Sequence, residues 1–193
     1  MVQLTGPKKV KCAVFISGTG SNLKSLIQFS KKKNSPISIE LIISDNTKAK
    51  GLKFGTIFKI SKKVFNFKNK IIAEKNIISE IENKKIKLIC LAGFMKILSK
   101  NFIKNFKGKI LNIHPSLLPK YKGLNTHKRV LLNSEKYSGC TVHFVNSRLD
   151  AGKIILQKKV KIRKSETAKS LAKKILTQEH RLYPKAIKKV FNL

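Results

Sequence analysis

The sequence predicts an α/β fold, in which helices cover both faces of an open, mostly parallel, Rossmann-like sheet. Two observations support this prediction. Apolar segments typical of buried strands alternate with segments of helical spacing over the first half to two thirds of the 193-residue chain. The first apolar segment, residues 10–17, also runs directly into the turn GTGSN at residues 18–22, as expected where a strand is followed by a helix.

The N-terminal elements follow from the pattern of apolar residues. Residues 10–17 form the first strand, because a nearly continuous apolar run is typical of a strand covered on both faces. A helix follows, with Ser21 or Asn22 placed to cap its first turn. Its apolar stripe comprises Leu23, Leu26 and Ile27. Residues 37–44 form a second strand, and residues 56–60 form a short third one.

The central elements are predicted in the same way. A helix begins near Phe67 and continues with apolar residues at helical spacing. These residues are Ile71, Ile72, Ile78 and Ile81. Buried strands follow at residues 86–92 and 109–113. Two long strands rich in valine and isoleucine, residues 139–146 and 153–162, form a hairpin-like pair that extends the sheet.

The last predicted helix starts near Ala168 and ends before Pro184, because proline lacks a backbone donor and disfavours the helical conformation of the residue before it. A short helix then closes the chain. No linker rich in Gly, Ser or Pro divides the sequence, so residues 1–193 are expected to form one domain. Its N-terminal part covers about residues 10–108, and its C-terminal part covers about residues 109–193.

The composition limits the classes of function. The chain carries 43 lysines and arginines against 9 acidic residues, a formal net charge of +34. Only four of the 43 basic residues are arginines, the residue that phosphate clamps and groove-reading proteins favour. The lysines are scattered along the chain. We therefore expect no specific nucleic-acid partner. Codon bias in an A/T-rich genome is the simpler explanation. Because such a charge disfavours self-association, we expect a monomer or a weak homodimer.

Membrane and metal-binding classes are also disfavoured. No run of about 18 apolar residues indicates a transmembrane helix. The N-terminus lacks the apolar core of a signal peptide, so we expect a cytoplasmic protein with no membrane partner. The cysteines, Cys12, Cys90 and Cys140, stand singly in apolar segments without metal-type spacing. We therefore expect reduced core cysteines and no bound metal.

The most informative segment is LNIHPSLLP at residues 111–119, where an amide and an imidazole stand two positions apart at the end of a strand. In extended chain such side chains point to the same side, so Asn112 and His114 should face one reacting centre. Pro115 and Pro119 stiffen the following loop. An amide donor can stabilise an oxyanion, and an imidazole can carry a proton. For either residue alone, a structural role is the usual alternative.

Other candidate residues fall just after predicted strands, where an open parallel sheet binds its ligands. They are Gly20, Ser21 and Asn22, then Met95, Lys96, Ile97 and Leu98, then Asp150. Backbone amides at the start of the first helix favour a phosphate, and an ordinary tight turn is the alternative. The motif is not Gly-x-Gly-x-x-Gly, which disfavours a dinucleotide. A carboxylate close to His114 should raise the pKa of the imidazole, since it favours the charged form.

Residues 112–127 resemble the signature of folate-dependent formyltransferases, in particular those that act on 5-phosphoribosylglycinamide in purine synthesis. Further segments match in order and spacing, at residues 16–22, 91–98 and 141–152. The resemblance covers the chain from about Val10 to its end. It implies a formyltransferase-type sheet and an enzyme that transfers a formyl group from the cosubstrate 10-formyltetrahydrofolate to the amine of 5-phosphoribosylglycinamide.

The resemblance also implies a role for each candidate residue. The implied catalytic residues are Asn112, His114 and Asp150, the last of which would orient the imidazole. The implied ligands of the substrate phosphate are Gly20, Ser21 and Asn22, and Glu179 would bind the ribose hydroxyls. The implied folate site comprises Lys70, Met95, Lys96, Ile97, Leu98 and Asn112, with Lys96 standing where an arginine is usual.

Two alternatives stay open at this point. The first is a related enzyme, either formyltetrahydrofolate hydrolase or methionyl-tRNA formyltransferase, which we disfavour because we expect neither a regulatory nor a tRNA-binding domain. The second is a basic nucleic-acid-binding module that has kept the fold without catalysis. We disfavour it because Asn112, His114 and Asp150 are all present.

Overall fold

The computed structural model describes residues 9–192. A seven-stranded sheet forms the centre of the fold. Its strands are β1 (Val10–Ile16), β2 (Ile37–Ser44), β3 (Ser61–Val64), β4 (Leu88–Leu91), β5 (Lys109–His114), β6 (Tyr137–Phe144) and β7 (Ile154–Lys161). They lie in the order β3-β2-β1-β4-β5-β6-β7. The pairs from β3 to β5 are parallel, whereas β6 pairs antiparallel with both β5 and β7.

Helices cover both faces of the sheet. They are α1 (Ser21–Ser30), α2 (Lys53–Phe58), α3 (Lys70–Asn83), α4 (Lys100–Asn105), α5 (Thr126–Leu132) and α6 (Ala168–Val190). Cys12, Val14 and Ile16 of β1 pack with α1 and α6, whereas Ala13 and Phe15 pack with α3 and α4. Alternating residues of one strand thus supply both cores. The predicted open, mostly parallel sheet with helices on both faces is confirmed, and so is its antiparallel extension.

The predicted third strand at residues 56–60 is wrong. Residues up to Phe58 belong to α2, and the strand begins only at Ser61. Phe54 and Phe58 lie one helical turn apart, with ring centroids separated by 6.3 Å, and both pack against the core. Ile57 lies between them in the sequence and is exposed. Phe54 and Phe58 therefore form the packed side of a short helix, and Ile57 lies on its outer side.

The first turn of α1 differs from the expectation as well. Gly20, in the left-handed conformation, occupies the N-cap position, and no side chain caps the helix, so the predicted cap by Ser21 or Asn22 is wrong. The side chain of Asn22 is turned instead towards Glu179 of α6. The predicted stripe of Leu23, Leu26 and Ile27 is fully buried, as expected.

Helix α3 buries only part of the predicted stripe. Ile81 is buried, together with Ala73 and Ile77, but Ile71 and Ile72 are exposed. These two isoleucines lie in the first turn after the capping residue Asn69, whose side chain accepts from the N–H of Ile72. The buried stripe therefore begins one turn later than the sequence pattern indicates. The short helices α4 and α5 have no counterpart among the predicted elements.

The prediction that the last helix ends before Pro184 is wrong. Helix α6 continues through Pro184 to Val190. A proline at this position removes the N–H that would bond to the carbonyl of His180. The Ser25 hydroxyl of α1 donates to that carbonyl at 2.9 Å. The neighbouring residues Tyr183 and Ile187 are fully buried, so packing also favours a continuous helix.

Two further expectations concern residues throughout the chain. Cys12, Cys90 and Cys140 are buried and free, as predicted. Within residues 9–192, the structure contains no helix that combines the length and the apolar character needed to cross a bilayer.

Candidate active site

A cavity of about 760 Å³ opens at the carboxyl ends of β1, β4 and β5. An open parallel sheet binds its ligands at this edge. Every candidate residue named from the sequence lines the cavity except Lys70, which begins α3 and does not contribute to the wall. The fold therefore brings together side chains from the beginning, middle and end of the chain.

The glycine-containing turn after β1 leaves the N-terminus of α1 open to the cavity. Gly20 has a φ of 73°, and a Cβ at this position would lie 2.7 Å from the Cα of Gly51. Glycine is therefore required both by the conformation and by the close contact. Because no side chain caps α1 and its first turn carries no acidic residue, the terminal amides can bind an anion.

Asn112, His114 and Asp150 form the polar centre of the cavity. The Asn112 Nδ2 donates to Asp150 Oδ1 at 3.3 Å, and His114 Nδ1 lies 3.3 Å from Asp150 Oδ2. The side chains of His114 and Asp150 are both buried. Asn112 and His114 thus face one centre, as their spacing along β5 predicts, while their catalytic roles stay predictions.

The loop after β6 holds the carboxylate of Asp150 at this centre. Asp150 itself adopts a left-handed φ of 45°, and its Oδ2 accepts from the N–H of Gly123 at 2.9 Å. Two residues later, a Cβ at Gly152 would lie 1.7 Å from the carbonyl oxygen of Phe144. The loop can therefore return to β7 only with glycine at that position.

The hydrogen bonds of His114 define which ring nitrogen carries a proton. Its Nε2 lies 2.8 Å from the carbonyl oxygen of Tyr121, which can only accept, so Nε2 is the donor and Nδ1 faces Asp150. Burial lowers the pKa of His114, and the Tyr121 carbonyl and Asp150 oppose this effect only in part. Asp150 raises this pKa as predicted, but desolvation outweighs the attraction of the carboxylate, so the net shift is downward.

For the carboxyl group of Asp150, burial does not determine the direction of the pKa shift. Burial by itself would raise the pKa of Asp150. The hydrogen bond from the Gly123 N–H and the nearby imidazoles of His143 and His114 outweigh burial and lower this pKa below its ordinary value. Asp150 is therefore ionised at neutral pH.

His143, for which the sequence favours a structural or supporting role over a catalytic one, contacts Asn112. Its Nδ1 donates to the carbonyl of Phe144 at 2.8 Å, so its Nε2 is free to accept from the Nδ2 of Asn112 at 3.2 Å. His143 thereby fixes the orientation of the Asn112 amide. The two residues are cross-strand partners of β5 and β6. Only the register of that pair reveals the contact, and no sequence signal specifies it.

A second polar group fixes the loop that follows His114. The hydroxyl of Thr141 donates to the carbonyl of Ser116 at 2.6 Å and accepts from the N–H of Leu118 at 3.1 Å. The amide of Gln157 donates to the same hydroxyl at 2.9 Å. Because these groups hold the loop against β6 and β7, they also hold the Tyr121 carbonyl that orients the imidazole.

Glu179 reaches the cavity from α6 and pairs with Asn22. The Nδ2 of Asn22 donates to Glu179 Oε2 at 2.7 Å. Burial raises the pKa of Glu179, and this hydrogen bond only partly offsets the effect. The side chain of Asn22 is therefore occupied by Glu179. Only the backbone N–H of Asn22 is available to bind an anion.

Residues 95–98 form a further wall of the cavity. The segment is irregular, and Leu98 is buried while Met95 and Ile97 are exposed and line the cavity. The ammonium of Lys96 lies 3.9 Å from Asp45 Oδ2. The wall thus offers apolar side chains and one cation to a ligand.

The arrangement combines an anion site, an amide donor and an imidazole that faces a carboxylate. Such groups can bind a phosphate, stabilise a developing oxyanion and transfer a proton. In the part of the chain that the structure describes, no three His, Cys, Asp or Glu side chains are grouped to hold a metal ion.

Comparison with known proteins gives a consistent result. Residues 10–187 match the family model described as formyl transferase. Over 186 residues the chain is 41% identical to the human trifunctional purine biosynthetic protein adenosine-3, and this match covers 95% of the chain but 18% of that much longer protein. It is 41% identical over 181 residues to phosphoribosylglycinamide formyltransferase of Haemophilus influenzae, covering 92% of the chain and 85% of the relative.

A solved structure agrees with these relatives. The fold superimposes on the crystal structure of phosphoribosylglycinamide formyltransferase from Brucella melitensis with a TM-score of 0.90 and 41% identity, covering 95% of this chain and 96% of the other. The resemblance that the sequence motifs indicate is thereby confirmed. The chain belongs to the formyl transferase family.

Proposed function

We propose that this protein transfers the formyl group of 10-formyltetrahydrofolate to the amine of 5-phosphoribosylglycinamide, a step of purine biosynthesis. The observation that carries the proposal is the meeting of Asn112, His114 and Asp150 in the cavity that also receives the open N-terminus of α1. The relatives from Haemophilus influenzae and Escherichia coli and the solved structure from Brucella melitensis, which match over most of both chains, are phosphoribosylglycinamide formyltransferases, and this supports the same activity.

The acceptor substrate would lie along the glycine-containing turn and α6. The amides of Gly20, Ser21 and Asn22 would bind its phosphate, because the helix terminus offers donors and a favourable dipole. Glu179 would accept hydrogen bonds from the ribose hydroxyls, since it lines the cavity next to Asn22. This placement directs the amine towards the centre formed by Asn112 and His114.

The formyl donor would lie against residues 95–98. Met95, Ile97 and Leu98 provide apolar contacts for the ring system, and Lys96 provides a cation for the acidic part of the donor. Lys70 does not line the cavity, so we assign to it at most a long-range attraction for the glutamyl carboxylates.

In the chemical step, the substrate amine attacks the formyl carbon, and the carbonyl oxygen becomes an oxyanion. The two Nδ2 hydrogens of Asn112 are directed to His143 and Asp150, so the amide stabilises the oxyanion when one hydrogen turns to it from Asp150. One such positioned donor contributes about 3 kcal/mol. The Nε2 hydrogen of His114 is held by Tyr121, so proton exchange takes place on the side of Nδ1 and Asp150.

The proton balance assigns a role to the His114 and Asp150 pair. The attacking amine must lose a proton, and the folate nitrogen that leaves must gain one. His114 and Asp150 would carry this proton from one nitrogen to the other, directly or through water. The products are the formylated glycinamide and tetrahydrofolate.

The setting of the reaction is part of the proposal. We place the enzyme in the cytoplasm, acting as a monomer or weak homodimer, because a net charge of +34 opposes close association of two copies. We propose no specific nucleic-acid partner. Residues 1–193 would act as one domain.

The test measures conversion of 10-formyltetrahydrofolate to tetrahydrofolate with and without 5-phosphoribosylglycinamide. The proposal requires turnover that depends on the amine and saturates with it. Equal turnover without the amine would indicate a hydrolase, and no turnover in either assay would contradict the proposed activity.

A further inference from the structure

Ser17 connects the glycine-containing turn to the proposed donor wall. It follows β1 directly, and its N–H donates to the carbonyl of Gly93 at 3.0 Å. Its hydroxyl accepts from the N–H of Met95 at 2.8 Å and donates to Asp45 Oδ1 at 2.5 Å. One serine therefore contacts both the turn after β2 and the first residue of segment 95–98.

Asp45 is held in a site that requires partners. Its side chain is only 8% exposed, and it receives the Ser17 hydroxyl on one oxygen and faces the ammonium of Lys96 on the other. A buried carboxylate is costly unless hydrogen bonds and an opposite charge compensate for it. The next residue, Asn46, donates to the Ser17 carbonyl at 3.2 Å, so the turn after β2 contacts Ser17 twice.

We propose that Asp45, acting through Ser17, is the positioning residue that sets segment 95–98 for binding of the formyl donor. The proposal rests on the proposed function, because it assigns this segment to the donor. It adds two residues, Ser17 and Asp45, to which the sequence motifs assign no role.

The direction of the hydrogen bonds explains how Asp45 acts at a distance. A serine hydroxyl has one hydrogen and can accept with its lone pairs. Because Asp45 takes that hydrogen, the lone pairs of Ser17 face the N–H of Met95. Without the acceptor, the hydroxyl can rotate and leave the Met95 N–H without its partner.

The segment depends on this contact because it has no strand ladder of its own. Strand β4 ends at Leu91, and residues 95–98 are irregular. Phe94 and Leu98 anchor the segment by burial, but Met95 and Ile97, which line the cavity, are exposed. The backbone contact to Ser17 therefore fixes the part of the segment that a ligand would touch.

The experiment compares steady-state constants for both substrates in Ser17→Ala, Asp45→Ala and Asp45→Asn. Loss of one hydrogen bond to a fixed N–H raises the donor KM about tenfold in the two alanine variants. Their kcat and acceptor KM change by less than about twofold. Asp45→Asn keeps an acceptor for the Ser17 hydroxyl, so it restores the donor KM to within about threefold of the wild type.

Glu80→Ala is the matched control, because it removes a carboxylate that pairs with Lys63 at 3.1 Å away from the cavity. It leaves both KM values unchanged. Direct titration with tetrahydrofolate should show the same weakening as the donor KM. Ser17→Ala deletes a single oxygen and should fold. Together with Asp45→Asn, it tests the positioning role of Asp45 even if Asp45→Ala does not fold.

Two results would overturn the inference. One is an unchanged donor KM in Ser17→Ala, and the other is an equal rise of both KM values, which indicates general disruption. A wild-type protein without turnover would instead contradict the proposed function, so the two failures are distinguishable.

Discussion

The Nδ1 of His114 lies 3.3 Å from the Oδ2 of Asp150, although one residue ends β5 and the other lies in the loop after β6. The Tyr121 carbonyl holds the opposite ring nitrogen, so the imidazole cannot turn away from the carboxylate. Burial lowers the pKa of His114. The pKa of Asp150 is also lowered, because the groups around its carboxylate outweigh the effect of burial. The pair therefore combines an ionised carboxylate with an imidazole that readily gives up its proton.

His114→Ala should reduce amine-dependent turnover by about 100-fold or more, the scale of a positioned acid-base group. The acceptor KM should change little, because the proposed phosphate ligands lie on α1. Steady-state kinetics with 5-phosphoribosylglycinamide as the varied substrate measure both effects. Retention of more than a tenth of the wild-type kcat would argue against this role.

Asp150→Asn should lower turnover to a similar extent and also shift the pH profile. The negative charge of Asp150 raises the pKa of His114 against the effect of burial, so its loss lowers that pKa further. The limb of the kcat profile that follows His114 should therefore move to lower pH. Glu166→Gln removes a carboxylate outside the cavity and serves as the control. An unshifted limb would show that the two groups are not coupled.

Glu179→Ala should raise the acceptor KM about tenfold and leave the donor KM unchanged, because it removes the proposed acceptor for the ribose hydroxyls. Glu179→Gln keeps an oxygen acceptor and should have a smaller effect. Kinetics with each substrate varied in turn distinguish the two sites. A rise in the donor KM alone would place Glu179 in the wrong site.

Stability should fall as the pH decreases from about 7 to 5, in part through His127. Burial lowers the pKa of this histidine below 6.5 in the folded state, whereas the unfolded chain keeps the ordinary value. The unfolded state therefore binds more protons in this range, so stability is present above 6.5 and is lost as the pH falls. Urea unfolding at both pH values should show a weaker pH dependence for His127→Leu. An identical dependence would contradict this contribution.

Ser25→Ala should lower the free energy of unfolding by about 1 kcal/mol, because the His180 carbonyl freed by Pro184 loses its donor. Thr177→Ala removes a hydroxyl that bonds an exposed carbonyl of the same helix, and its effect should be smaller than about 0.5 kcal/mol. Urea unfolding measures both variants. Equal effects would mean that the contact to α1 has no special role.

Much of the fold and part of the site follow from sequence patterns because these patterns are local. Continuous apolar runs indicate β1, β2, β4 and β5, and a two-residue spacing on β5 places Asn112 and His114 on one side. The carboxyl ends of parallel strands meet at one edge, so residues after those strands lie together.

The missing features depend on contacts between distant elements. His143 meets Asn112 through the register of β5 and β6, and Ser17 meets Asp45 through the alignment of β1 and β2. The continuation of α6 through Pro184 depends on a hydroxyl supplied by α1. The net direction of the His114 pKa depends on burial, which the sequence does not specify.

Following the formyl carbon itself distinguishes transfer to the amine from hydrolysis. Donor labelled with ¹³C at the formyl group is mixed with 5-phosphoribosylglycinamide and the protein, and the products are observed by NMR. The label should appear on the glycinamide nitrogen with wild-type protein and at least ~100-fold more slowly with His114→Ala. Label found only as free formate with the wild-type protein would contradict the proposed transfer.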